Sequence, residues 1–473
     1  MFRPYLVLLL CACGGSDPAR DPDAGADPDA GADAGVLLPP WSAELPSAAE
    51  SIGPRRGLFP ARGIIHLHSP YSHDACDGEP RDAETGAVDE ACLADLRAAL
   101  CATRMDYAAL TDHDDSMADE PFEDLFLLRD GDVRVGDAAR IQCGGGHQVL
   151  VFVGGENDLM PILLDRHPDG DAAARHAAYE AVSPEAVTAF RDLGGLVVIP
   201  HSEQRSAEMI RALAPDGMEI YNLHANIDPD IRRDFLGLPP TGALEAVFQF
   251  LDLSADGPEP DLAMLSFLEP SSVAVARWDE LLGEGRRVFG TGGTDAHQNA
   301  LPLPLRDGER GDSYRRMLRW FSNVVLAADP ADPVQVQEAV AAGRSFLAFE
   351  VFGTPAGFDV RASGAGEVVE LGGEVEAAAG FTLEVVLPAV HDLDSALPAP
   401  SIRARIVRAE AGGAVEVAAG EGPMLSAPID APGAYRVEVL ITPHHHGPRL
   451  GNLGTGYAER EQVWIYANPI YAR

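Results

Sequence analysis

The 473-residue chain contains no lysine; all 35 of its basic residues are arginine. That excludes chemistry built on a lysine amine: Schiff-base catalysis, pyridoxal enzymes and the Walker-type phosphate loop. Positive charge is scarce overall, because 74 acidic residues leave a net charge of −39. Phosphate backbones and anionic lipids need a basic face, so duplex nucleic acid is excluded as a partner, as is a membrane contacted through protein surface. No apolar run reaches the roughly 20 residues that crossing a bilayer requires. A CxxC pair is missing, which argues against a thiolate metal site, and no GxSxG elbow suggests a seryl nucleophile. Histidine, by contrast, is plentiful. Ten of the 14 lie between His66 and His297, several in short motifs punctuated by Pro and Gly.

Arg3 precedes a short apolar run at residues 6–10, followed by Leu10-Cys11-Ala12-Cys13-Gly14. This reads as a secretory signal over residues 1–12, with a lipobox-like end and Cys13 as the lipidated residue. Acyl chains on Cys13 would anchor an exported protein to a bacterial membrane, the outer one expected, facing the periplasm or the surface. Residues 13–50 read as an acidic disordered tether; residues 17–35 alone hold six aspartates and one arginine. Four cysteines remain beyond Cys13, an even number that suggests two disulfides in an exported chain. Three connectivities are open, and Cys76–Cys92 with Cys101–Cys143 is the expected one.

From 51 to 350 the pattern alternates strand, turn and helix. Apolar strand signals fall at 63–68, 107–111, 149–153, 196–199, 218–221 and 288–290. Helical signals fall at 91–104, after Ser183-Pro184, and at 271–287. Repeated βα units predict a parallel sheet, open or closed into a barrel. From 351 to 473 the helical signals fade, and alternating runs at 381–387, 402–407, 435–440 and 463–466 predict a small antiparallel β-sandwich.

The titratable residues fall just past the ends of these strands: His66 and His68, Asp112 and His113, Glu156, His201, and Asp295 with His297. In a βα barrel that is the end where active sites are built. Imidazole and carboxylate together suit zinc, manganese and iron. In order, His66-Leu67-His68-Ser69-Pro70-Tyr71-Ser72-His73, Thr111-Asp112-His113, Glu156, Pro200-His201 and Thr294-Asp295-Ala296-His297 resemble the PHP (polymerase and histidinol phosphatase) family over roughly residues 60–350. The resemblance implies a distorted (βα)7 barrel holding two or three divalent ions and hydrolysing phosphate esters. The tail at 464–471 is similar to the end of exported PHP proteins with a C-terminal β-domain.

Carried over residue by residue, the resemblance implies that His66, His68 and Asp295 hold one metal, with Glu156 bridging to a neighbour. His73, His113 and His297 would hold a second, with Asp74 competing for the place of His73. His201, Glu156 and a further histidine would hold a third. His167 is the expected one, with His147 and His176 as rivals. Glu219 reads as support for a ligand and His224 as a loop residue. A hydroxide bridging two metals would be the nucleophile of a di- or trinuclear site. Arg205 is a candidate cation for the phosphate. Asp112 would accept a proton or orient a ring. The expected substrate is a small phosphate ester. Competing readings are a carbamate, amide or ester hydrolase using the same site, and a non-catalytic surface binding protein. The run at 444–446 reads as a polar turn.

Overall fold

In the computed structural model the described residues are 48–410 and 412–473. The expected signal peptide, Cys13 and nearly all of the expected tether lie outside them. Among the described residues, no helix is long and apolar enough to cross a membrane. Ala49–Ile52 form a 3-10 turn that buries Ala49 and Ile52.

The architecture is mixed α/β around one large sheet. Seven strands concern the site: β1 (Phe59–Leu67), β2 (Tyr107–Leu110), β3 (Gln148–Val153), β4 (Met160–Ile162), β5 (Leu196–Ile199), β6 (Gly217–Asn222) and β7 (Phe289–Ala296). β1 runs parallel to both β2 and β7, β2 to β3, and β6 to both β5 and β7. β4 pairs antiparallel with β5. Just beyond β4, the Leu164 N–H donates to the Val153 carbonyl at 2.8 Å, so the pairing path continues back to β3. β2 is buried along its whole length and β3 beyond its first residue, as their unbroken apolar sequences require of strands covered on both faces.

Helices pack where the sequence caps them. Asp89 accepts the Ala91 and Cys92 N–H groups at the start of helix Glu90–Ala102. Ser183 caps Pro184–Asp192, with proline in its first turn. Helix Ser272–Gly283 precedes β7 and buries Trp278 completely.

The first half of β1 also pairs antiparallel with β8 (Ser322–Ala327), which begins a continuous antiparallel series. Next in order come β9 (Ser345–Ala348), Gln462–Ala472, Gly433–Thr442, Ser401–Glu410 and Gly413–Gly420. The strands beyond residue 350 therefore extend the same hydrogen-bonded sheet. A second antiparallel sheet contains Glu367–Glu370, Asp359–Gly364, Thr382–Val386 and Met424–Pro428. The buried Arg436–Asp279 pair ties strand Gly433–Thr442 to helix Ser272–Gly283. Disulfides join Cys76 to Cys92 and Cys101 to Cys143, the expected pairing, with Cα separations of 5.9 and 5.3 Å.

Candidate metal centre

The ends of β1 and β7 meet through the parallel pairing of Ile65 with Gly293 and of Leu67 with Ala296. That register brings His66, His68 and Asp295 together, and Glu156 joins them from the turn after β3. Four donor atoms face one another. His66 Nε2 lies 3.3 Å from Glu156 Oε2 and 3.3 Å from Asp295 Oδ1. His68 Nε2 lies 3.4 and 3.3 Å from the same two oxygens. Four ligands at about 2.0–2.1 Å around a tetrahedral cation stand about 3.3 Å apart. The spacing thus suits a cation better than hydrogen bonds, and the Nε2 atoms of His66 and His68 are buried without a hydrogen-bond partner.

The residues behind these histidines set their ring orientations. Glu219 Oε1 sits 2.6 Å from His66 Nδ1, so Nε2 faces the cluster. The Ser72 hydroxyl lies 3.0 Å from His68 Nδ1. Glu219 Oε2 accepts the backbone N–H of His201 at 2.8 Å and the Asn222 side-chain amide at 2.9 Å. This reach needs Gly293, since a Cβ there would overlap Glu219 Oε1. His66, His201 and Asp295 all hold the left-handed backbone conformation, with φ of 74°, 46° and 52°. Such strain in non-glycine residues concentrates at functional sites.

A second cluster adjoins the first: His68, Asp74, His113 and His297. His297 Nε2 is 3.3 Å from Asp74 Oδ1, and His113 Nε2 is 3.8 Å from Asp74 Oδ2 and 3.6 Å from Glu156 Oε2. The His297 Nε2 is again buried and unpartnered. Its Nδ1 lies 3.0 Å from the Asp295 carbonyl, and its ring stacks on that of His68 with centroids 3.7 Å apart. Tyr314 braces both residues by donating to the carbonyls of His68 and His297 at 3.0 and 3.2 Å. The third cluster is His201, His224 and Asp295.

Electrostatics follow from this crowding. Burial opposes protonation of His66, but Glu156, Asp295 and Glu219 outweigh it and raise its pKa well above the ordinary value. Burial likewise opposes ionisation of Glu156 and Asp295, yet the neighbouring histidines hold both carboxyls well below their usual range. Asp74 is held low against burial by His297, His68 and His113. The arrangement attracts positive charge into an enclosed, carboxylate-lined space.

Other expected residues are placed differently. Asp74, not His73, supplies the atom in the second cluster; His73 is exposed, its ring centroid 5.2 Å from that of His113. His167 stands outside all three clusters. Its Nδ1 is 3.0 Å from the Tyr179 hydroxyl and its Nε2 is 3.1 Å from the Glu120 carbonyl, so both nitrogens are engaged elsewhere. His147 Nε2 meets the Met105 carbonyl, and His176 lies between Asp114 and Asp119. Asp112 uses both oxygens on Ser69, at 2.6 Å to its N–H and 2.7 Å to its hydroxyl, and so clamps the turn after β1 rather than facing the cluster. The Arg205 guanidinium pairs with Asp158 at 2.6 Å. His445 and His446 are buried, each with Nε2 on a backbone carbonyl, of Phe352 and Val351.

His224, expected as a loop residue, stands within the third cluster. It follows β6 on the turn Leu223–Ile227, which Asn222 caps by accepting the Ala225 N–H at 3.1 Å. An Asn two residues before a histidine at a strand end was the available signal.

No protein-family model matches this chain, and no curated protein matches it. Among solved structures, it is similar to a two-domain protein containing a predicted PHP-like metal-dependent phosphoesterase from Bacteroides vulgatus, at 13% identity and a TM-score of 0.33. That likeness covers 87% of this chain and 96% of the other. PsfC from Pseudomonas syringae is similar at 12% identity and a TM-score of 0.29, over 56% of this chain and 82% of that one. Likeness at this level says nothing by itself about the chemistry here.

Proposed function

We propose that this chain is an exported, lipid-anchored metal-dependent phosphoesterase acting on a small phosphate ester, built on a distorted (βα)7 barrel with a C-terminal β-sandwich. The observation that carries the reading is the set of four donor atoms from His66, His68, Glu156 and Asp295, spaced 3.3–3.4 Å across the histidine–carboxylate edges with both imidazole nitrogens buried and unpartnered. These residues would hold one cation; Asp74, His113 and His297, with Glu156 between, would hold a second. The donor set fits zinc, manganese or iron(II). Divalent ions there supply Lewis acidity for displacement at a phosphoryl centre.

The chain's own residues do the rest. Glu219 and Ser72 fix the tautomers of His66 and His68 by holding their Nδ1 edges. Asp112 locks the Ser69 turn, and Tyr314 pins the His68 and His297 backbones. Burial of His66, His68 and Asp295 excludes bulk water from the inner side, which strengthens every charge interaction there. Two disulfides suit an oxidising compartment and so support export.

The test is hydrolysis of p-nitrophenyl phosphate and bis(p-nitrophenyl) phosphate by metal-reloaded protein. Asp295→Ala and His68→Ala should each lower kcat/KM at least about a thousandfold, the loss that follows when several kcal/mol of charge stabilisation go. Their circular dichroism should match that of the unaltered protein. Full activity in both variants overturns the reading, as does inertness of the metal-loaded protein toward both esters.

A further inference from the structure

Helix Ser272–Gly283 lies against the last strands of the large sheet, but the two surfaces do not meet along their whole length. At the C-terminal end of the helix they touch, since a Cβ on Gly283 would overlap the Glu410 carbonyl. Toward the other end a groove of about 530 Å³ opens between them, a volume typical of small-molecule sites. One helix face supplies Ser272, Val275, Ala276 and Asp279, at the spacing of three and four that puts side chains on one side. The sheet wall comes from residues two apart: Arg405 and Val407 on strand Ser401–Glu410, and Arg436, Glu438 and Leu440 on strand Gly433–Thr442. The register sets Arg405 opposite Glu438 and Val407 opposite Arg436.

The groove shares Pro270, Gln462, Val463 and Tyr466 with a smaller cavity, which Tyr221, Leu268 and Phe349 complete. Tyr221, on β6, is 1% exposed, and its hydroxyl is buried with no hydrogen-bond partner. The ring stands edge-on to Phe349 and Phe321, with centroids 4.8 and 5.4 Å away, which fixes where that hydroxyl lies. The Ser271 hydroxyl, between the lining residues Pro270 and Ser272, is likewise buried and unpartnered. Burying a hydroxyl without a partner is costly. Two of them beside one groove mark a place where the oxygens of a bound molecule complete the hydrogen bonding.

The charges on the wall are spent on one another. Arg436 meets Asp279 through two N–H groups at 2.6 and 2.8 Å and also reaches Glu438, while Arg405 donates to Glu438 at 2.7 Å. Glu461 is engaged by Arg403, and Glu416 is exposed. Both lining guanidiniums are thus committed to carboxylates, so the groove has little to offer an anion. Paired guanidinium and carboxylate groups still keep spare N–H bonds and lone pairs, which suit hydroxyls. Val275, Ala276, Val407, Leu440 and Val463 give an apolar surface for the C–H face of a ring. We infer that this groove binds an uncharged, hydroxyl-rich ring of monosaccharide size, with one hydroxyl reaching Tyr221 Oη. The site is separate from the metal centre and does not depend on the phosphoesterase reading, because none of its residues belongs to the three clusters.

Saturation-transfer difference NMR on the full chain, titrated with D-glucose, D-galactose, D-mannose and myo-inositol, tests this. At least one should show saturable binding, and D-glucuronate, which adds a carboxylate, should bind more weakly than the best of them. Tyr221→Phe removes only the unpartnered hydroxyl and should weaken that binding about tenfold, with unchanged circular dichroism. Ala276→Trp, at an exposed position in the groove, should abolish it in a folded protein. Absence of saturable binding by all four compounds overturns the inference. So does tighter binding of D-glucuronate, or unchanged affinity in either variant.

Discussion

Two sets of histidines in this molecule are equally buried and put to opposite use. His445 and His446 sit on the turn His444–Arg449, each with Nε2 on a backbone carbonyl. Burial lowers the pKa of His445 to about 4 and that of His446 well below its ordinary value. His66 and His68 are buried at least as deeply, yet their Nε2 atoms have no hydrogen-bond partner and face two carboxylates, and their pKa values are raised. Burial alone therefore says little about a histidine. What separates the two sets is whether the inward nitrogen is satisfied by the backbone or left open opposite a carboxylate.

This contrast can be broken experimentally. The largest effect expected is the loss of hydrolysis in Asp295→Ala and His68→Ala, as above. Next, acid should act on the carbonyl-bound set. His445 titrates near 4 when folded and near 6.5 when unfolded, so the unfolded state binds more protons between those values. Its stabilising contribution is complete above pH 6.5 and fades on acidification, by about 2 kcal/mol at pH 5 and about 3 kcal/mol at pH 4. His445→Gln keeps an amide donor for the Phe352 carbonyl but does not titrate. Its Tm should fall less than that of the unaltered protein between pH 7 and pH 5; equal falls would remove His445 from the account.

Glu219→Gln sharpens the comparison from the other side. It should weaken zinc affinity by about 10- to 100-fold while the protein stays folded, because the neutral amide no longer anchors His66 Nδ1. Unchanged affinity by competition with a chelator would show that His66 needs no such support. Smallest of all, Arg205→Ala should change kcat/KM less than about threefold, since the guanidinium is committed to Asp158 in an exposed pair. A hundredfold loss would return Arg205 to the substrate.

Much of this was legible in the amino-acid sequence. Short apolar strands ending in His66, His68, His113, Glu156, His201 and Asp295 place their side chains at one end of a parallel arrangement, because chain direction alone fixes which end that is. Period and length also located helix Glu90–Ala102 and the late antiparallel strands. Choices inside turns were harder. His73 and Asp74 are neighbours in a loop with no periodicity, and tertiary contacts of Asp74 with Ser72, His297 and Asn299 separate them. His167 is the histidine the resemblance implies, but the segment after β4 packs its ring against Tyr179 and Phe122. His224 reads as a loop residue because the turn after β6 is set by the Asn222 side chain, which no hydrophobic pattern reports. The antiparallel contact of β9 with strand Gln462–Ala472 joins residues more than a hundred positions apart, which no local signal reports.

The Cys76–Cys92 bond has a consequence for how the second cluster is held. Asp74 lies two residues before Cys76, and the Cys76 N–H donates to the His297 carbonyl at 2.9 Å. The sulfur bridge adds a covalent tie to helix Glu90–Ala102 on a segment whose backbone is already hydrogen-bonded to His297, Gln298 and Asn299. The position of Asp74 beside His297 is thus held from two directions, by a covalent bond on one side and by backbone hydrogen bonds on the other.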